Sequence, residues 1–285
     1  MGPLGKTSEA IGKLADLTRF LLGPAITRRQ AKADAAGAVI RAQGETEADE
    51  LRARAHARLE LLNVNRQQRL EAVIGKTRAL LPKRVTSEPV EPDWFAEFVN
   101  NCQDVSNDDM QTVWSKILTS ELVKPGSFSK RTLNFVRLLS MEEARLFTRF
   151  CSFVWVVEGE KIALHFRPIP ARVELPRLGL SFADLLRLEA IGLCHTPDDV
   201  VTIYWSWPVG AEVRLVFHGR VFRTKVAEGF KIITLPLTEV GSELLPICGA
   251  EPNEEYLNLC LESWKSEGFE LTEVTGEGPT TASPR

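Results

Sequence analysis

The pattern of apolar and polar positions is most regular between residues 27 and 84, where alanine, leucine, arginine and glutamate dominate and proline appears only at position 82. This composition predicts one long helix. Its apolar positions advance by steps of four, four and three, so the repeat is eleven residues in three turns, which favours straight or slightly right-handed packing. The stripe consists of Ile40, Ala48, Leu51, Ala55, Leu59, Leu62, Leu70 and Val73, with Gly44 and Arg66 in its gaps.

A single narrow stripe needs a partner helix, which is supplied either by a second copy of the chain or by the domain that follows. We predict that the eight stripe residues form the interface of a homo-oligomer, in the manner of a coiled coil.

The first 26 residues predict a short amphipathic helix, which Gly23-Pro24 separates from the long one. We expect its apolar face to pack on the protein's own helices or on another copy, with a membrane surface as the alternative. No apolar run here approaches the roughly 20 residues that cross a bilayer. The face consists of Ile11, Leu14, Leu17, Leu21 and Leu22.

Residues 85–155 predict a small helical domain that follows a proline-containing linker. Ser106 with Asp109 predicts one capping box and Ser140 with Glu143 another, while Ser129 is expected to cap the helix between them.

Residues 156–274 predict an α+β domain, so the expected fold class is mainly α with a C-terminal α+β module. A helix at residues 181–191, a β-hairpin and a second helix after Thr238 resemble a winged-helix domain, with Arg220, Arg223 and Lys225 on the exposed wing. Residues 275–285 are predicted to be a disordered tail.

Charge divides the chain into a basic and an acidic part. Residues 27–84 carry thirteen Lys and Arg against seven Asp and Glu, a balance of +6, whereas residues 152–275 carry eleven against eighteen, a balance of −7. An acidic module is a poor candidate for nucleic-acid binding, because phosphate contacts dominate that affinity. The basic helix is able to lie against the acidic part of a neighbouring copy or to hold a polyanion.

The five cysteines are scattered and form no C-x-x-C pair, which predicts reduced core thiols in a cytoplasmic protein. No histidine lies at zinc-ligand spacing from them, so we expect no metal site and no cofactor.

The middle of the chain resembles an uncharacterised bacterial family known only as a domain of unknown function. The residues that carry the resemblance are Pro125-Gly126-Ser127-Phe128-Ser129-x-Arg131-Thr132-Leu133, with Trp114, Ile117 and Leu118 before them and Glu143, Ala144, Phe147 and the segment Cys151-Ser152-Phe153-Val154-Trp155 after them. The resemblance implies a bacterial cytoplasmic protein that serves in antiviral defence or stress response, and it implies no mechanism.

The polar cluster Ser127, Ser129, Arg131 and Thr132 is the candidate ligand site in that motif, although a helix-capping turn explains the first two residues without any ligand. No clustered catalytic set is visible, so we predict a non-enzymatic protein. It is expected to oligomerise through the long helix and to present the acidic module to a protein partner. The alternatives are a nucleic-acid binder that uses the arginine-rich helix and the wing, a membrane-associating effector at the inner membrane, and an enzyme such as a nuclease.

Overall fold

The computed structural model describes residues 11–15, 47–157, 160–165, 176–195, 203–226 and 231–274, and the chain forms two compact units, Met1–Arg137 and Leu138–Arg285. The fold is mainly α with a C-terminal α+β module, as the sequence predicts. The predictions made for Leu17, Leu21, Leu22 and Ile40 and for the tail at residues 275–285 lie outside the described residues.

The first unit is helical. Residues 11–15 form a helical segment, and four longer helices follow: α1 (Glu47–Leu80), α2 (Pro92–Cys102), α3 (Asp108–Val123) and α4 (Lys130–Leu138), whose last residue belongs to the second unit. The predicted long helix is present over the 34 residues of α1 and ends just before Pro82, which cannot continue a helix.

Aromatic residues form the core between α2 and α3. Trp94 stacks on Phe98 with ring centroids 5.5 Å apart, and Phe98 meets the edge of Trp114 at the same distance. The predicted capping box of Ser106 and Asp109 is wrong by one position: Asn107 caps α3 instead, because its side chain accepts the backbone N–H of Met110.

The second unit contains four α-helices and a seven-stranded antiparallel sheet in its described residues. Its elements are α5 (Met141–Cys151), β1 (Val154–Val157), β2 (Glu160–His165), α6 (Phe182–Ala190), β3 (Ile203–Ser206), β4 (Glu212–Phe217), β5 (Arg220–Lys225), β6 (Lys231–Pro236), α7 (Glu239–Leu244), α8 (Glu254–Ser266) and β7 (Thr272–Val274). The strand order is β3-β6-β2-β1-β4-β5-β7.

Trp155 lies at the centre of the aromatic core of this unit. It stands directly opposite Phe217 on the neighbouring strand, with ring centroids 4.8 Å apart, and its ring also meets Phe222 and Trp264. Such cross-strand aromatic pairs stabilise the sheet and fix the register of β1 on β4.

The predicted domain boundary after residue 155 differs from the division that the structure shows. Helix α5 belongs to the second unit: its Thr148 hydroxyl donates to the Cys248 backbone oxygen at 3.2 Å, and directly after the helix the Phe153 ring meets Tyr256 at 5.1 Å. Strand β1 was not predicted, since a four-residue apolar run does not distinguish a strand from the end of a helix.

The hairpin predicted as the wing is part of a broader sheet. The β4–β5 hairpin turns at His218 and Gly219, which both have positive φ, and its strands are flanked by β1 and β7. Helix α7 packs closely on the segment after α6. A Cβ on Gly241 would lie 2.1 Å from the backbone oxygen of Leu193, so only glycine fits there.

Candidate functional site

The apolar stripe on α1 is exposed in its first repeat and buried in its second. Leu59 is 51% exposed, whereas Leu70, eleven residues later, is 5% exposed. Leu51 is 61% exposed and Leu62 is half-buried, but Val73, at the same site of the next repeat, is fully buried. We call the surface formed by Leu51, Ala55, Leu59 and Leu62 the open stripe.

Helix α3 covers the second repeat. Thr77 is fully buried there, and its hydroxyl lies 3.5 Å from the backbone oxygen of Ser115. Lys76 donates to the hydroxyl of Thr112 at 3.0 Å and pairs with the carboxylate of Asp108 at 2.7 Å. The following domain therefore supplies the partner for this half of the stripe, which was one of the two alternatives that the sequence left open.

Arg66 interrupts the apolar stripe in the sequence. It lies where α1 first contacts the loop that leads into α3. Its guanidinium binds Asp104 through two hydrogen bonds of 2.8 and 2.9 Å, and Arg69 donates to the backbone oxygen of Asp104. The hydrogen bond from Arg66 holds the pKa of the Asp104 carboxyl below its usual value. Because Arg66 meets residue 104 and Thr77 meets Ser115, α1 and α3 run in the same direction.

Charges along the exposed half of α1 balance one another. Asp49 pairs with Arg52 at 2.7 Å and Glu50 with Arg54 at 3.6 Å, both along the helix. Ile40 and the side chain of Ala48, the remaining predicted interface positions, lie outside the described residues. Ala55 is exposed beside the three leucines.

The motif that carries the family resemblance forms a turn around a buried carboxylate. Glu121, on α3, accepts the backbone N–H groups of Gly126, Ser127 and Phe128 at 2.7, 3.0 and 3.3 Å. Gly126 has φ +79°, which favours glycine. The indole of Trp94 also donates to the Phe128 backbone oxygen at 2.7 Å, so the turn is tied to both α2 and α3.

The four residues of the candidate ligand site make mainly local contacts. Ser127 donates to the Lys124 backbone oxygen at 2.6 Å, and the Ser129 hydroxyl accepts the backbone N–H of Thr132 at 3.2 Å, which caps α4. Thr132 is fully buried and Arg131 is exposed. Both serines therefore make the local bonds of a helix-capping turn, and the Ser129 and Thr132 hydroxyls lie 3.2 Å apart.

The described part of the N-terminal helix is docked on the first unit. Leu14 is buried, and the ammonium of Lys13 donates to the backbone oxygens of Thr86, Glu88 and Leu122. Burial lowers the pKa of Lys13, while the charges of Glu88 and Glu121 oppose that shift. Ile11 is half-buried. These contacts place part of the predicted membrane or partner face against the protein's own helices.

The predicted basic wing is largely neutralised by glutamates. Arg220 binds Glu273 at 2.8 Å and Glu254 at 3.0 Å, and Arg223 binds Glu212 at 2.9 Å. Lys225 is exposed at the end of β5. Paired arginines offer less charge to a phosphate backbone than free ones do.

The second unit, which contains the acidic residues 152–275, exposes two neighbouring apolar side chains on α6. Leu185 and Leu188 face the core, whereas Phe182 and Leu186, one helical turn apart, are exposed. Beside them, Arg187 pairs with Glu142 at 2.6 Å.

The described residues contain no group of three or more His, Cys, Asp or Glu side chains that is able to hold a metal ion. Burial raises the pKa of Cys194 and of Cys260 to about 12, so neither thiol is a reactive thiolate near neutral pH. Among the helices that the structure describes, none combines the length and the apolar character needed to cross a bilayer.

Comparison with known families gives one match. Residues 53–260, more than half of the chain, match the family described as "Protein of unknown function (DUF2806)". The chain belongs to the DUF2806 family. No curated protein and no solved structure matches it significantly.

The DUF2806 match includes the motif turn, α3 and the Arg66–Asp104 contact, and it begins two residues after Leu51. Within this DUF2806 chain, sequence analysis missed three residues that hold the first unit together, namely Lys13, Asp104 and Glu121. Their partners are carbonyls, amides or guanidinium groups on other segments, and no spacing in the sequence indicates them.

Proposed function

We propose that this DUF2806 protein is a non-enzymatic interaction protein that self-associates through the open stripe of α1 and presents its acidic α+β unit to a protein partner. The observation that supports self-association is the difference between the two repeats of one stripe. α3 covers the second repeat, whereas Leu51 and Leu59 of the first remain in water. An exposed leucine stripe that extends a buried helix–helix contact is typical of a protein–protein interface.

The available apolar surface favours a weak association. On each of two copies Leu51 and Leu59 are half or more exposed and Leu62 is half-buried, so their burial contributes on the order of 4–8 kcal/mol in total. Lost translational and rotational freedom opposes association by several kcal/mol or more. We therefore expect a dimer whose population rises with protein concentration.

A concentration series in light scattering tests this proposal. Leu51→Asp together with Leu62→Asp should keep the chain monomeric at concentrations where the wild type is dimeric, because four carboxylates would enter the interface. We expect the association to weaken by about 100-fold or more. If the double variant keeps the wild-type mass, the open stripe is not the interface.

Leu61→Asp is the matched control for that experiment. Leu61 is a leucine of similar exposure, 63%, but it lies about 100° around the helix from Leu62 and nearly opposite Leu59. The control should therefore associate as the wild type does, which separates loss of the stripe from a general effect of charge on α1.

The partner-binding part of the proposal rests on the acidic unit. Phe182 and Leu186 expose an apolar pair on α6, and aromatic residues such as Phe182 are enriched at protein interfaces. The nucleic-acid alternative is weakened because Arg220 and Arg223 already bind glutamates. The family resemblance extends the proposal to antiviral defence or stress response.

A further inference from the structure

The position of α3 on the long helix restricts how two copies are able to pair. Val73 and Thr77 occupy the same stripe as Leu62, about three and four turns later, and α3 covers them. The stripe therefore has a free half, residues 51–62, and an occupied half that begins at Arg66, where Asp104 and α3 approach. The step of four positions from Leu62 to Arg66 corresponds to about 6 Å of helix.

A parallel pair with equal residues opposite one another is blocked by this arrangement. Two packed helices lie about 8–10 Å apart along their contact. The partner's α1 would continue past Leu62 along the same face, where α3 already lies at that distance on both copies. A continuous helix of 34 residues does not turn away within about 6 Å. The described parts of the two copies would overlap.

An antiparallel pair avoids the overlap among the described residues. With Leu51 of one copy opposite Leu62 of the other, the first residue of α1, Glu47, lies opposite Arg66, at the edge of α3. Each helix then leads to its own first unit at the opposite end of the shared segment. The same four side chains face each other from both copies, which is the isologous contact expected of a two-fold dimer.

Charge also suits a second copy as the occupant. Between residues 49 and 62 the helix carries three acidic and three basic side chains, so two such segments meet without net repulsion. The acidic members are Asp49, Glu50 and Glu60, and the basic ones are Arg52, Arg54 and Arg58.

We infer that α1 pairs with α1 of a second copy in antiparallel orientation, with Leu51 of each copy close to Leu62 of the other. This inference rests on the proposed function, because it assumes that the open stripe is the interface.

Cysteine cross-linking distinguishes the two orientations. Leu51→Cys and Leu62→Cys are made separately in a Cys248→Ser background, since Cys248 is half-buried and the four other cysteines are buried. The two variants carry tags of different size and are oxidised alone and as an equal mixture. A disulfide requires Cα atoms within about 7 Å. In the antiparallel pair the two Leu51 positions are about 16 Å apart along the axis, whereas Leu51 meets Leu62.

The expected result is a mixed disulfide that forms at least about ten-fold more than either homodimeric disulfide. Equally efficient Leu51→Cys homodimers would overturn the inference and establish parallel pairing. A dimeric mass without any cross-link would overturn it as well, because the interface would then lie elsewhere. A monomeric mass of both variants and of the wild type would instead contradict the proposed function itself.

Discussion

The buried carboxylate of Glu121 accounts for the residues found in the turn that begins at Pro125. A buried carboxylate needs several donors, and the turn supplies three consecutive backbone N–H groups, from Gly126 to Phe128. Phe128 then fills the core while its carbonyl accepts the Trp94 indole. The geometry favours a structural corner over a ligand site.

Truncation of Phe128 or of Glu121 should destabilise the first unit. Phe128→Ala removes a buried ring and should lower the free energy of unfolding by about 3 kcal/mol or more. Glu121→Ala leaves three amides without their acceptor and should cost at least about 2 kcal/mol. Urea unfolding measures both, with the exposed Lys124→Ala as a control that should change little. An unchanged unfolding midpoint for Phe128→Ala would contradict the structural corner.

Residue roles were predictable where both partners lie close in the sequence. The predicted capping box at Ser140 and the caps of the helices that begin after Ser181 and Thr238 are confirmed, because such caps bond residues three positions apart. Lys13 was not predictable in this way. Its three carbonyl acceptors lie 73 or more residues away, and a lysine on a polar helix face gives no sign of them.

At the scale of the element, the sequence predicted the apolar stripe on α1 but not the position at which α3 begins to bury it. The eleven-residue repeat is equally regular on both sides of Arg66, so periodicity alone does not separate an exposed half from a buried one. That division depends on where the loop before α3 brings Asp104, which is a tertiary contact. Strand β1 was missed for a related reason, since its four residues become a strand by pairing with β2 and β4.

The Arg66–Asp104 contact predicts a small dependence of stability on pH. Because the native pKa of Asp104 is lowered, the contact stabilises the fold fully above the ordinary aspartate value of 3.8 and is lost as the pH falls through the lowered value. Wild type and Arg66→Met should therefore differ in unfolding midpoint at pH 7 and converge at low pH. Both side chains are partly exposed, so the difference should be modest.

Salt provides the control for that comparison. A solvent-exposed ion pair weakens as ionic strength rises, so 1 M sodium chloride should reduce the difference at pH 7. A difference that persists unchanged at pH 2 would show that Arg66 acts through packing of its apolar stem instead.

At the scale of the whole molecule, the opposite charges of the two halves do not by themselves indicate a contact between them. Along the exposed part of α1 the charges balance locally, and the arginines of the predicted wing are bound to glutamates. Arg66 and Lys76 also pair with Asp104 and Asp108, which lie outside residues 27–84, so the regional total of +6 overstates the charge that a partner meets. Sequence counts predict regional charge well but miss this pairing, because it depends on the fold.

The last prediction concerns whether the N-terminal segment meets a membrane. Leu14 is buried on the first unit, and the bonds from Lys13 to three carbonyls hold the segment there, so insertion of this face would first require those contacts to break. We therefore expect the native chain not to float with liposomes of neutral or anionic lipid. A chain that begins at Ala25 serves as the comparison, and it should behave in the same way. Flotation of the full chain that is lost in the shortened one would contradict the docked arrangement as the native state and would favour the membrane-associating alternative.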